Sequence, residues 1–216
     1  MESYQTEEEQ VEALRKSWDE NGKSTIAAVV LALGAGFGWQ GWQDYRQGQT
    51  EAASVMYEEM LQAFNAAPGE EPTPQQLATG RHLADTLKAD FGNTTYAQFA
   101  ALHLARQSVS DGDLAAAETQ LRWVLTAGPA PEVEAVARLR LARVLGAAGD
   151  SDGALAILSD SPAGHEAAYA EARGDVYLQR GERDAAREEY QRAAAAGTLG
   201  GRGNSGSLEL KLQSLN

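Results

Sequence analysis

Ser24 to Gln43 contains no charged side chain, while on both sides of it apolar residues return every three or four positions among polar ones. At about 1.5 Å per residue this run spans roughly 30 Å as a helix, the hydrocarbon thickness of a bilayer. The pattern predicts a membrane-crossing helix over residues 24–43, with Trp39 and Trp42 as an interfacial belt. A secretory signal fits poorly, because its apolar core is about 7–15 residues long and follows a short basic region. Here a long, mainly acidic segment comes first. A buried core helix is the remaining alternative.

Residues 1–23 begin with the acidic stretch Glu2 to Glu12. Val11, Leu14 and Trp18 then recur at helical spacing, which predicts a short amphipathic helix ending at an Asn21-Gly22 break, lying on the cytoplasmic membrane face. After the span, residues 44–95 read as membrane-proximal helices. Val55, Met56, Met60 and Phe64 mark one over Ala52 to Phe64, a loop follows from Pro68 to Pro74 with Gly69 and Pro72, and Leu77, Leu83 and Leu87 mark a second helix over Gln75 to Asp90.

Residues 96–197 hold an internal repeat. Aligned on Gly112, Gly149 and Gly181, small residues recur seven positions earlier (Ala105, Ala142, Gly174) and five positions later (Ala117, Ala154, Ala186). Nine positions after each glycine stand Leu121, Leu158 and Tyr190. Small residues let paired helices approach closely, and the large ones seal each pair. The pattern resembles the tetratricopeptide repeat, with Pro129 as a closing proline and Tyr177 at the aromatic place of the third unit. It departs from that repeat in its glycine intervals of 37 and 32 residues, in Ala101, Arg138 and Ala170 where a large residue is usual, and in Arg173 where leucine is usual. An ordinary helical bundle is the alternative. The fold class expected is all-α, a single transmembrane helix followed by tetratricopeptide-like repeats, with residues 198–216 as a Gly/Ser-rich linker and short apolar tail.

Charge and residue inventory narrow the function. The chain has 18 Lys and Arg against 31 Asp and Glu, so the basic footprint of a nucleic-acid binder is missing. Arg15, Lys16 and Lys23 precede the span and only Arg46 follows it closely, which keeps the amino end cytoplasmic and exports the chain from about Asp44 onward. Absence of cysteine suits an oxidising compartment. His82, His103 and His165 are far apart in sequence and match no metal-ligand spacing, while Gly200-Gly201-Arg202-Gly203 lacks the strand and helix of a phosphate loop. The adjacent carboxylates Glu58-Glu59 and Glu188-Glu189 are expected on solvated surface. No catalytic residue, metal or cofactor is expected.

Binding is expected instead. In a tetratricopeptide stack the first helix of each unit lines the concave face, which would put Phe99, Leu102, Arg106 and Val109 of the first unit beside Val136, Leu139 and Arg143 of the second. This is an apolar groove with two cations, suited to an extended or helical segment. Glu171 and Asp175 reverse the charge in the third unit. The alternative is that Phe99, Leu102 and Val136 are core and the arginines are neutralised internally. In the membrane helix, Gly34 with Gly38, and Ala28, Ala32 and Gly36, form small-residue rows that allow close approach of a neighbouring helix.

A closer resemblance rests on Gln10-Val11-Glu12-Ala13, Glu20-Asn21-Gly22-Lys23, Gly38-Trp39 with Trp42, and Leu139-Arg140-Leu141-Ala142-Arg143-Val144. These resemble the YfgM family, the ancillary subunit of the bacterial SecYEG translocon. The resemblance implies a single-pass type II inner-membrane protein whose periplasmic repeat domain joins the translocon, and emerging polypeptides, to chaperones that include a membrane-anchored prolyl-isomerase-like one. It also implies a cytoplasmic link to an envelope-stress response regulator. A periplasmic scaffold for envelope or division complexes is the alternative.

Overall fold

The computed structural model describes residues 7–65, 71–199 and 206–215, and every regular element among them is an α-helix. The expected loop positions Pro68 and Gly69, the stretch Gly200 to Gly203 and the first acidic residues lie outside the described residues. The chain divides into two compact units, 1–51 and 52–216.

The first unit is formed by helix α1, Glu7–Phe64, which runs on beyond it without interruption. The expected break at Asn21-Gly22 does not form. A glycine inside a helix costs only about 1 kcal/mol, without the steric clash that proline brings. Gly22 is also buried beneath the Trp18 indole, whose atoms lie 3.3 Å from where a Cβ would sit. Beyond it, Ile26, Val29, Val30, Leu31, Leu33 and Phe37 are all exposed. So much exposed apolar surface fits a membrane environment, and α1 is long and apolar enough to cross a membrane. The Trp39 and Trp42 rings pack at a tilt with centroids 5.1 Å apart, and Arg46 lies 4.9 Å over Trp42, the cation and ring grouping expected at a headgroup boundary.

In the second unit, the last turns of α1 bring Ala53, Met60 and Phe64 against Ala84 and Leu87 of α2 (Pro74–Asp90) and Ala100 and Leu104 of α3 (Thr95–Ser110). Thr73 and Gln76 close α2 with a reciprocal capping box. Gly80 is required there, because the Phe64 ring lies 2.9 Å from the place of a Cβ.

Three helix pairs follow: α3 with α4 (Leu114–Thr126), α5 (Pro131–Ala147) with α6 (Ser151–Ile157), and α7 (Glu166–Gln179) with α8 (Arg183–Leu199). The aligned glycines turn the chain within each pair, at φ of 78°, 89° and 77°, where side-chain-bearing residues are disfavoured. Each ends its helix with the same two hydrogen bonds. Asp113, Asp150 and Glu182 N–H donate to the carbonyls of Ser108, Leu145 and Tyr177, and the glycine N–H donates three residues back. Asp113 and Asp150 then cap the second helices through Ala116 and Gly153 N–H, each at 2.9 Å.

The small columns are buried throughout: Ala105, Ala142 and Gly174 on one side, Ala117, Ala154 and Ala186 on the other. Leu121, Leu158 and Tyr190 are sealed between them. Where leucine becomes Tyr190, its small partner becomes Gly174, whose missing Cβ would lie 2.5 Å from the tyrosine ring. The shorter second glycine interval has its counterpart in α6, which has only seven residues against thirteen in α4. Tyr169 closes the α5–α7 junction, its hydroxyl donating to the Ala135 carbonyl at 2.8 Å.

A further expectation needs correction. Glu189 is not solvated surface: it is 6% exposed and receives Arg173 at 2.9 Å, with Arg192 as a second partner. Arg173 also donates to the Leu158 carbonyl and Ser161 hydroxyl, so a polar network takes the place of the usual leucine packing. The apolar tail carries a helix, α9 (Gly206–Ser214), whose Leu208 is buried, together with Leu215 just beyond it, against Ala170, Ala186 and Tyr190.

Candidate partner groove

The first helices α3 and α5 present two adjoining hollows. One, of about 400 Å³, is lined by Arg106 and Val109 of α3, Leu114 and Leu121 of α4, and Arg140, Arg143 and Val144 of α5. The other, of about 380 Å³, is lined by Tyr57, Phe99, Leu102, His103, Arg106, Glu132, Val133, Val136 and Arg140. Arg106 and Arg140 belong to both.

Six of the seven expected groove residues line these hollows: Phe99, Leu102, Arg106 and Val136 in the second, and Arg106, Val109 and Arg143 in the first. Leu102 does so from a largely buried position. Leu139 lines neither, because it points into the core cluster with Ala101, Ala105 and Leu121. Arg140 was missed by counting back from the glycines. Its signal was its position three residues before Arg143, which sets both on one helix face.

Electrostatics distinguish this face. Arg140 is pulled below the usual arginine value by partial desolvation and then by the charges of Arg106 and Arg143. His103 stacks on Phe64 at 4.4 Å and is pulled below the usual histidine value by burial, with Arg106 adding repulsion. Tyr57 packs 5.7 Å from Tyr96 and 6.2 Å from Phe99, and burial raises its hydroxyl. Such a surface can take up apolar side chains and offer cations to carboxylates beside them. No cluster of metal-ligating side chains occurs among the described residues.

On the third unit the corresponding acids are engaged within the chain. Lys211 of α9 reaches Glu171 at 2.8 Å and Asp175 at 2.7 Å, and the Tyr190 hydroxyl donates to Asp175 at 2.8 Å. In α1, Gly34, Gly36, Gly38 and Gly41 are exposed, and a Cβ added at any of them would meet open space.

A tetratricopeptide repeat-like domain family matches residues 15–216. An Escherichia coli K12 protein described as an ancillary SecYEG translocon subunit is 32% identical over 88% of both chains. Proteins with the same description from Haemophilus influenzae and Aggregatibacter actinomycetemcomitans are 30% and 31% identical, covering 91% and 97% of this chain and 93% and 96% of their own. No solved structure matches significantly. With its repeat turns, exposed apolar helix and nearly full-length likeness to these proteins, the chain belongs to the YfgM family of ancillary SecYEG translocon subunits, built on a tetratricopeptide repeat-like domain.

Proposed function

We propose that this protein is a non-catalytic inner-membrane accessory of the SecYEG translocon whose repeat domain helps transfer emerging proteins to periplasmic chaperones, a membrane-anchored prolyl-isomerase-like chaperone among them. The amino end stays in the cytoplasm, where it contacts an envelope-stress response regulator, and the domain from about Asp44 onward is periplasmic. The observation that carries the reading is the near-complete coverage of relatives that share one description, translocon subunit. The topology rests on Arg15, Lys16 and Lys23 preceding the apolar run. The partner surface is the α3–α5 face, and the row of Gly34 and Gly38 serves as the membrane contact.

Affinity purification of the full chain from mild detergent tests this. Recovery of translocon subunits together with a periplasmic chaperone is expected; recovery of envelope or division scaffolds without translocon would overturn it. A reporter fused after Asn216 should be active only if it works in the periplasm.

A further inference from the structure

Within residues 52–216 the domain is rich in carboxylates, and most of its described cations have found one. Arg81, Lys88, Arg122, Arg138, Arg173, Arg180, Arg187, Arg192 and Lys211 each lie within ion-pair distance of an acid, and Arg183 donates to the Ser214 carbonyl. Arg106, Arg140 and Arg143 are different: among the described residues none of them has an ion-pair partner, though all three line the same hollow. Three like charges gathered in a protein of net charge −13 do not arise from a shortage of acids. Glu132 lines the adjoining hollow and forms no ion pair with Arg106 or Arg140. Arg140 is lowered first by partial desolvation and then by the charges of Arg106 and Arg143, and an external anion placed among the three would oppose both effects.

We propose that the α3–α5 face binds a segment of a partner protein that carries internal carboxylates flanked by large apolar side chains. The inference rests on the reading of this face as the partner surface and names the chemistry of what it takes. Guanidinium groups pair with carboxylates in two-pronged hydrogen bonds, which favours arginine for this task. Between the cations the walls are apolar: Val109, Leu114 and Val144 in one hollow, Phe99 and Val136 in the other. A bare anion would leave those walls wet, whereas Leu, Met or Phe side chains beside the carboxylates would fill them. The segment runs across both hollows, because Arg106 and Arg140 border each.

The test uses the full chain in a nonionic detergent and fluorescence anisotropy of a labelled amphipathic peptide with leucines on one face and glutamates beside them. The glutamate peptide should bind, and its glutamine and lysine counterparts at least about tenfold more weakly. Affinity should fall with added salt. Arg140→Gln and, separately, Arg143→Gln should each weaken binding about tenfold, while Arg138→Gln, on the same helix but ion-paired with Glu134, should not. Equal binding of the three peptides, no binding of any, or retention in both arginine variants would overturn the proposal. So would displacement of the peptide by vesicles of anionic lipid, which would assign the cations to a membrane surface. The two readings fail separately. A chain that recovers the translocon but ignores the glutamate peptide loses only this inference; one that binds the peptide but recovers no translocon loses only the assigned function.

Discussion

The third repeat and the first two share their turn glycines and small-residue columns, yet their faces are in opposite states. On the third, Glu171 and Asp175 hold Lys211, and α9 covers the apolar surface with Leu208 and Leu215. On the first two, three arginines line one open hollow that contains no carboxylate, and none of them pairs with Glu132 of the adjoining one. The backbone pattern thus sets the stack, while the charge on the first helix of each pair sets whether a face is closed by the chain itself or left for something else.

The comparison is broken most severely by cutting into the third pair. Tyr190→Ala should cost about 3–5 kcal/mol, as for other large-to-small core changes, and Gly174→Ala about 1–3 kcal/mol by overpacking. Gly174→Ala combined with Tyr190→Leu recreates the pairing of the first two units and should recover much of the loss, giving a strongly non-additive double-mutant cycle in denaturant unfolding. Purely additive costs would show that the two positions do not compensate each other.

Removing the Arg173 side chain comes next. Arg173→Ala should destabilise by about 2–3 kcal/mol, below the largest buried-pair penalties because Arg192 also reaches Glu189. Replacing Arg173 and Glu189 together by leucine should be close to neutral. A larger loss in the double variant than in the single would mean that leucine packing cannot replace the charged network at this site.

Acid and base should separate the two faces without mutation. Burial lowers Lys211, but its hydrogen bonds to Asp175 and Glu171 and their charges lift it above the usual lysine value overall. Burial and the Asp175 hydrogen bond raise Tyr190. Both groups hold their proton more tightly when folded, so their contribution is present below about pH 10 and is lost as pH rises further. His103 has a lowered value, so its neutral form is favoured in the fold, and its contribution is lost as pH falls below about 6.5. Residue-resolved hydrogen exchange should therefore show α9 opening first in alkali and the α3 contact with Phe64 loosening first in acid. The reverse order would contradict the assignment.

The smallest effect on stability is expected where the partner effect is largest. Arg106→Glu with Arg143→Glu should shift stability by no more than about 0.5 kcal/mol, the usual range for surface positions, yet abolish crosslinking to chaperone or emerging chain. Persistent crosslinking in the folded variant would refute the charge-based groove. Gly34→Leu with Gly38→Leu should insert normally and weaken recovery of the translocon; unchanged recovery would assign the contact to the soluble unit.

The repeat was legible because its signals are local necessities. Gly112, Gly149 and Gly181 stand where φ is positive, and nothing in the surrounding fold is needed to read them. Glu189 was not legible, since its burial depends on Arg173, sixteen residues away on another helix. Neither was α9, because nine residues make too few turns to hold a helix without tertiary contacts; the spacing of Leu208, Leu212 and Leu215 was its only trace. The continuity of α1 through Asn21-Gly22 was hidden for a similar reason: the Trp18 ring that covers Gly22 belongs to the helix it helps to preserve. In the groove, the pattern placed the right helices but not the inward turn of Leu139, which packing decides.

Gly174 and Tyr190 also limit how such a protein can be recombined. They lie on the two helices of one pair, and neither fits the partner residue used in the other pairs. Grafting α8 onto the α3 or α5 scaffold would drive a tyrosine into an alanine methyl, and the reciprocal graft would leave a void beside a glycine. The interchangeable part of this stack is accordingly the matched pair, and a duplication or swap that cuts through a Gly turn, however well it preserves each helix, would inherit a lock without its key.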